Sequence, residues 1–556
     1  MPAAADAHAP TAPAASGRAV ARVCAIIVTW NRKDYVTTVL KALSKQTYPM
    51  RNVDVVVVDN AGTDGTLDHL IATFNPERVV DNDTEKAHEP KFGSPRVREG
   101  ANGVGGNTLG LASLSIVRNR ANMGGCGGFN TGFAFVEHWF GKAGLGGPDF
   151  VWLVDDDIDL PTDTLENLTK TMSSDQSIGL VGSRTCDLND RDKTIETTIY
   201  FNDRNGCMQD DAPEHHRNHA KHIEWSKASG GTKGRHGYTG TMDVDVVSAC
   251  SMLARWSAVL GDDKRKGVGF WDARYFIYCD DADWCLRFAR AGWRVVLSLD
   301  AVVYHTPWNL KLTPARIYYA NRNRLWMAQK VLPTERLREV TTTTLRGIMQ
   351  DALHAAMHRR VFHSRLIMQT ATDVVDNVGG KTGSDGPAAM PVIEALREAG
   401  ALTSEATVAV LCNQRDSMAW FAALVEHVRA ETKGNGPRLV PVVRNDVRGA
   451  PADGADGAGG AVVYGKRLRS RLKKQLRMLR LRPRACVVWD SNNDFPIWTG
   501  TPFTLHIDTR KPTMAQLERD GWGTRLAFIA KWIPAWFRLN RYAATVEPYA
   551  GTGRYG

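Results

Sequence analysis

The chain has 556 residues, too many for one ordinary core, so two or three domains are expected. Its 43% hydrophobic and 23% charged content is that of a soluble globular protein, and no window approaches the ~18 consecutive apolar residues of a membrane span. Nine cysteines without a CxxC pair argue against a disulfide framework and for reduced thiols in the cytoplasm, while a net charge of +10 suits an anionic partner.

The opening MPAAADAHAPTAPAASGRAV lacks the basic start and continuous apolar core of a signal peptide, so residues 1–20 are expected as a flexible tail. The run VCAIIVT and the amphipathic NRKDYVTTVLKALSKQT then predict a strand and a helix. VDVVVVDNAGTDGT predicts a second buried strand closing on Asp59 and Asn60, followed by helical DHLIATF. Strand, helix, strand, helix predicts a parallel, Rossmann-like sheet. Residues 81–112 are polar and Gly-rich and read as a loop. LSIVRNR is a further strand, and NMGGCGGFNTGFAFVEHW opens a helix on a glycine cluster. FVWLVDDDIDL then carries a buried strand into Asp155, Asp156 and Asp157.

Residues 185–240 are rich in His, Asp, Asn and Gly and read as a surface insertion, with His215, His216, His219 and His222 a weak metal candidate. Regularity returns with VDVVSACSMLARWSAV. In FWDARYFIYCDDADWCLRFARAGWRVVLSLDAVVYHTPW an aromatic-rich strand precedes Asp280 and Asp281, which start a helix; Gly292 ends it, and a strand leads to His305. Residues 315–375 are helical. A new α/β segment begins near Ala406, and an Ala/Gly/Asp-rich loop at 449–460 separates it from a basic helix and the strand ACVVWDS. The expected domains are 21–330, a helical extension 331–400, and a C-terminal α/β domain 401–556.

Three adjacent acids repel unless a cation or proton neutralises them, and ligands collect at the carboxyl ends of strands in open α/β sheets. Asp155 and Asp157, one residue apart, therefore suit Mg²⁺ or Mn²⁺ gripping a phosphorylated substrate; solvated acids in a turn are the plain alternative. Asp280 and Asp281 sit at a positive helix end, where capping explains one of them and a base acting on a hydroxyl suits the other. His305, again at a strand end, fits as a third ligand. Asp59 and Asn60 fall where an acid or amide reads base or ribose, or forms an Asx turn. Gly124, Gly125, Gly127 and Gly128 would let a backbone approach a diphosphate, with pure turn chemistry as the competing view. VGGKTG lacks the first glycine of a P-loop, which argues against NTP hydrolysis.

Taken in order, TWNR, VVDNAGTDGT, NMGGCGGFNTG, LVDDDI, CDDADWCLRFARAGW and VVYHTPW resemble the inverting family 2 glycosyltransferases of the GT-A fold, closest to the bacterial galactofuranosyltransferases. The resemblance runs from about Val23 to Arg324 and implies a GT-A Rossmann-like mixed sheet flanked by helices. It implies that Thr29, Asn31, Arg32, Asp59, Asn60, Asn122, Gly124, Gly125 and Asp156 hold the nucleotide. Asp155, Asp157 and His305 would bind Mg²⁺ or Mn²⁺, Asp281 would be the general base, and Asp280 would aid placement of acceptor or sugar. The chain has Cys279 where polymerising members carry tryptophan before the acid pair. The implied activity is transfer of galactofuranose from UDP-galactofuranose to a cell-envelope glycan or lipid-linked acceptor. A rhamnosyltransferase using a dTDP-sugar and a non-catalytic scaffold are the rivals.

KRLRSRLKKQLRMLRLRPR, from Lys466 to Arg484, has ten Lys or Arg and no acid. Leu468, Leu472, Leu476, Leu479 and Leu481 give it an apolar side, which suits an anionic membrane surface better than nucleic acid, for which no motif is present. The aromatic segment 526–539 reads mainly as core. The expected location is the cytoplasm, peripheral at the inner face of the membrane; homo-oligomerisation is left open.

Overall fold

The first sheet grows from β1 (Val23–Thr29), α1 (Lys33–Leu43), β2 (Val53–Asp59), α2 (Thr66–Phe74), β3 (Arg78–Asn82), β4 (Ser113–Asn119), α3 (Gly124–Lys142), β5 (Phe150–Asp155), α4 (Thr164–Ser174) and β6 (Ile178–Asp187). The computed structural model describes residues 20–95, 106–142, 147–261, 266–450, 460–489, 501–509, 511–549 and 554–555. All but the last residue of the expected tail 1–20 and most of the 449–460 loop lie outside them. The apolar runs form strands buried on both faces; every residue of β2 is buried, as a sheet covered by helices on both sides requires.

β1 pairs in parallel with β2 and with β5, and β4 lies in parallel between β2 and β3. Beyond β5 comes the antiparallel strand Ser251–Arg255, then β6, then Arg294–His305 parallel to β6. The sheet is thus mixed, not wholly parallel. Because the antiparallel Ser251–Arg255 sits between β5 and β6, and the short antiparallel Thr241–Asp243 and Thr194–Glu196 only flank Arg294–His305 and β6, the carboxyl ends of β1, β2, β4, β5, β6 and Arg294–His305 all emerge at one edge. α3 lies close on β1: a Cβ at Gly128 would sit 2.4 Å from Val28, and one at Gly132 would sit 2.4 Å from Ile26.

Two expectations are corrected here. Residues 185–240 are not a surface insertion. They add Thr194–Glu196 to the sheet, a hairpin of Tyr200–Asn202 and Cys207–Gln209, and the helix His219–Ala228. Tyr200, Phe201 and Tyr238 are buried in the main core, so a few aromatics fold an otherwise polar segment inward. Its histidines pair singly with acids: His215 with Asp203, His216 with Asp245, and His222 with Asp211. They form no metal-type cluster among the described residues.

The aromatic run before Asp280 is likewise a loop rather than a strand. Its rings leave for the core, Trp271 against Phe129 and Tyr275 stacked on Trp326. Its backbone is bonded by side chains instead of by a neighbouring strand. Asn130 both donates to the Trp271 carbonyl and accepts from its N–H, and Asn323 donates to the Ile277 and Tyr278 carbonyls.

Helices Pro314–Val331, Thr334–Met357 and Val361–Val375 lead to a second sheet. Its strands follow the order Met390–Pro391, Met514–Arg519, Phe503–Ile507, Ala485–Trp489, Thr407–Cys412, Arg438–Arg444 and Val462–Tyr464. The last helix, Trp522–Thr545, returns to Thr334–Met357, where Trp532 donates to the Met349 carbonyl at 2.8 Å. A buried Arg359–Asp520 pair at 3.0 Å ties the helical region to the second sheet. All nine cysteines are free thiols.

Candidate active site

The sheet brings strand-end residues that are distant in sequence to its carboxyl edge. Thr29 is in register with Asp59, and Val28 with Asp155. His305 arrives from three strands beyond β5 because the chain after β5 crosses to meet it. Asp159 and Tyr304 exchange backbone hydrogen bonds at 2.9 and 3.0 Å, which sets His305 beside Asp157. One ligand atom from each of Asp155, Asp157 and His305 falls within 4.8 Å of the others. Two carboxylates and an imidazole with that convergence fit a small divalent cation such as Mn²⁺ or Mg²⁺.

Two basic side chains brace the cluster. Arg32 donates from one nitrogen to Asp156 at 2.8 Å and Asp157 at 2.9 Å. Lys311 Nζ lies 2.7 Å from Asp157 Oδ2 and 2.8 Å from His305 Nε2. Burial raises the Asp157 carboxyl, but the His305 hydrogen bond and the charges of His305 and Lys311 outweigh it and hold the group far below the usual range. Asp155 goes the other way: burial and the neighbouring Asp157 charge raise it. Asp156 accepts a hydrogen bond from Thr29 at 2.8 Å and, through burial, rises to about 6. Its oxygens are therefore committed to β1 and Arg32, away from the other two aspartates' shared ligand position.

The residues expected to hold the nucleotide gather at the same edge but differ in their hydrogen bonding. Asn60 is fully engaged: it donates to the Gly124 carbonyl at 2.8 Å and Asn122 at 3.2 Å, and accepts from Asn119 and the Met123 N–H. It positions the start of α3, beside the edge where the resemblance places the nucleotide. Asn122 accepts from the Gly124 N–H at 2.9 Å. Asp59 accepts from Gly62 N–H at 2.9 Å, and burial raises its carboxyl. Asn31, at φ 53°, accepts from Thr63 N–H at 2.6 Å.

The glycines of the cluster differ in their surroundings. A Cβ on Gly124 would lie 2.0 Å from the Phe276 carbonyl, Gly127 would strike Met123, and Gly128 would strike Val28. Three of the four glycines serve packing, and only Gly125 faces open space. Gly124, at φ +73°, is needed for both conformation and close approach. Gly124→Ala is expected to lower stability by about 2–4 kcal/mol. Gly125→Ala should stay within about 0.5 kcal/mol of wild type, since its space is open. Thermal melts of the two variants check this contrast.

The acid pair enters from the aromatic loop. Tyr278 and Cys279 both have positive φ, 70° and 61°, immediately before the helix Asp280–Arg290. Two consecutive left-handed non-glycine residues persist only where surroundings enforce them, here the Asn323 bonds and the buried Lys330–Asp283 and Lys330–Asp272 pairs at 3.0 and 2.7 Å. The left-handed Cys279 replaces an ordinary cap, and neither acid caps the helix in the usual way. Asp281 instead accepts from Ala282 N–H at 2.7 Å and Ala249 N–H at 3.3 Å. Asp280 accepts from Asp281 N–H at 3.2 Å.

Burial raises both carboxyls. Asp280 rises well above the ordinary range because the Asp281 charge adds to burial, whereas the N–H groups of Ala282 and Ala249 partly offset the rise at Asp281. The two backbone N–H groups at Asp281 favour its ionised form, the state a base requires. A raised folded value means that Asp280 ionisation costs stability; its contribution is complete at low pH and lost as pH rises through the raised value. Asp280→Asn should therefore raise Tm under mildly alkaline conditions, with the gain vanishing below about pH 4. Melts across pH check the sign.

Two residues of this edge carried no sequence signal of their own. Lys311 lies in a short 3₁₀ turn, and nothing near it marks it as a partner of Asp157, 154 residues earlier. Glu196, in the strand added by residues 194–196, rises to about 7 through burial and the charge of Asp281. Only the acid-rich surroundings of its strand could have drawn attention to it.

An open mixed sheet with a carboxylate–histidine cluster and an acid pair at its carboxyl edge defines a class of α/β domains suited to a phosphorylated ligand. Residues 24–83 match the family model described as glycosyl transferase family 2, and residues 117–328 match that described as glycosyltransferase like family 2. Between them the two matched segments take in the strands that build this edge, from β1 to Arg294–His305. No curated protein sequence matches the chain. Among solved structures, S. aureus TarS is 16% identical, covering 55% of this chain and 39% of its own, with a TM-score of 0.32. The mannosyltransferase PcManGT from Pyrobaculum calidifontis, in complex with GDP-Man and Mn²⁺, is 16% identical over 74% of this chain and 84% of its own, at a TM-score of 0.33. The 1–349 fragment of TarS in complex with UDP is 16% identical over 64% and 83%, at 0.34. The chain spans about two fifths of the length of the first of these.

Proposed function

We propose that this protein moves a sugar from a nucleotide sugar to an acceptor hydroxyl with inversion, the donor being UDP-galactofuranose and the acceptor a cell-envelope or lipid-linked glycan. The observation that carries the reading is the meeting of two acidic sets at one sheet edge. Asp155, Asp157 and His305 converge, and Asp280 feels the charge of Asp155. A divalent ion held by Asp155, Asp157 and His305 would neutralise charge on the departing diphosphate. Asp281, fixed by two backbone N–H groups, takes the acceptor hydroxyl proton as that oxygen bonds to the anomeric carbon. The bond from that carbon to the diphosphate oxygen breaks, and its electron pair leaves with the nucleoside diphosphate. Gly125, with free space above it at the start of α3, offers a backbone approach for phosphate. Galactofuranose is favoured by the double-glycine and DDD motifs.

A panel of nucleotide sugars, followed by nucleoside diphosphate release with Mn²⁺ present, tests the reading. Turnover of UDP-galactofuranose above the other donors is expected. Turnover confined to a dTDP-sugar would overturn the donor assignment, and nucleotide binding without any turnover would favour a scaffold.

A further inference from the structure

The basic helix Leu468–Leu481 packs the opposite way from its sequence pattern. Its buried residues are Lys474 and Met478, with Lys474 Nζ 4.3 Å from the centre of the Tyr464 ring. Leu468, Leu472, Leu476 and Leu479 are 65, 52, 58 and 51% exposed. Spaced by four, four and three residues, they form one outward stripe. Arg469, Lys473, Arg477 and Arg480 are exposed beside them, and the segment from Lys466 to Arg484 contains no acid. A second helix is built alike: Trp522–Thr545 contains no Asp or Glu and leaves Trp522, Leu526, Ile533 and Phe537 exposed at 42, 62, 49 and 69%.

We propose that the outward face of Leu468–Leu481 docks on an anionic lipid surface, its leucines entering the headgroup–acyl boundary and its cations meeting lipid phosphates. Four leucines set among cations are what such a boundary accommodates. A second copy of this face would place like charges against one another. Nucleic acid would engage the cations and leave the leucines in water. No helix among the described residues is long and apolar enough to cross a membrane, so this contact lies at the surface. The inference goes beyond the sugar-transfer reading and stands on separate residues.

The test is flotation of the full chain with phosphatidylcholine vesicles, with and without phosphatidylglycerol. The variants are Leu472→Gln/Leu476→Gln/Leu479→Gln and Lys473→Glu/Arg477→Glu/Arg480→Glu. The wild type should float with the anionic vesicles only, and each triple variant should lose at least about tenfold in bound fraction. All changed side chains are exposed, so both variants should melt with the wild type and keep its donor hydrolysis, which separates this inference from the catalytic one. Unchanged flotation of either variant would overturn it. So would a wild type that stays with the protein fraction, or a leucine variant that loses only self-association in sedimentation. Binding to duplex DNA or RNA that survives the leucine changes, without flotation, would make the face a nucleic-acid surface.

Discussion

Asp281→Asn should lower turnover by about two to four orders of magnitude while leaving nucleotide affinity within roughly threefold of wild type. The substitution keeps the shape of the side chain and one oxygen for the Ala282 N–H, which lies 2.7 Å away. It removes the ability to accept a proton. The Ala249 N–H, at 3.3 Å, loses its acceptor, and relief of the strained Asp280–Asp281 pair works in the opposite direction. Steady-state release of nucleoside diphosphate gives the first quantity and titration calorimetry with UDP gives the second. Turnover within tenfold of wild type would remove Asp281 as base and direct attention to Glu196, whose carboxyl feels the Asp281 charge.

Asp157→Ala should have the second largest effect, because this carboxylate is the hub of its cluster. It accepts from Arg32 at 2.9 Å and Lys311 at 2.7 Å and lies 3.2 Å from His305. Removing it takes away one of the three candidate ligands and leaves two cations facing the others. Mn²⁺ affinity is expected to fall by at least about 100-fold, since even outer-shell losses reach that order. Thermal stability should fall by a modest ~1–3 kcal/mol, because Arg32 is a third exposed and partly solvated after the loss. Manganese titration followed by paramagnetic resonance, with a melt of the same variant, checks both. Unchanged metal affinity would dissociate the cluster from any metal role.

Much of this edge was legible because strands announce both their length and their end. FVWLV ends in water-seeking acids, VVVV ends in Asp59, and the strand before His305 does the same. The mixed sheet follows from antiparallel strands, Ser251–Arg255 inside it and the short Thr194–Glu196 and Thr241–Asp243 beside it, whose direction no local pattern encodes. Other features depended on partners that only folding supplies. The segment before Asp280 has strand-like aromatic content, yet Asn130 and Asn323, far away in sequence, claim its backbone. Glycine content cannot say whether a ligand or the Phe276 carbonyl is the close neighbour. The leucines at 468–479 have helical spacing and face outward, while the burial of Lys474 and Met478 on the opposite side has no mark in the local pattern. Reversing Lys474 would consequently disturb packing over Tyr464, whereas Lys473 is free at the surface to report on charge.

The proposed reaction is a single displacement assisted by Asp281, with no covalent link between sugar and enzyme. Proton NMR of the first-formed product, followed in real time with the donor that turns over, tests it most directly. The anomeric configuration opposite to that of the donor is expected from the earliest spectrum. A product that retains the donor configuration would contradict it.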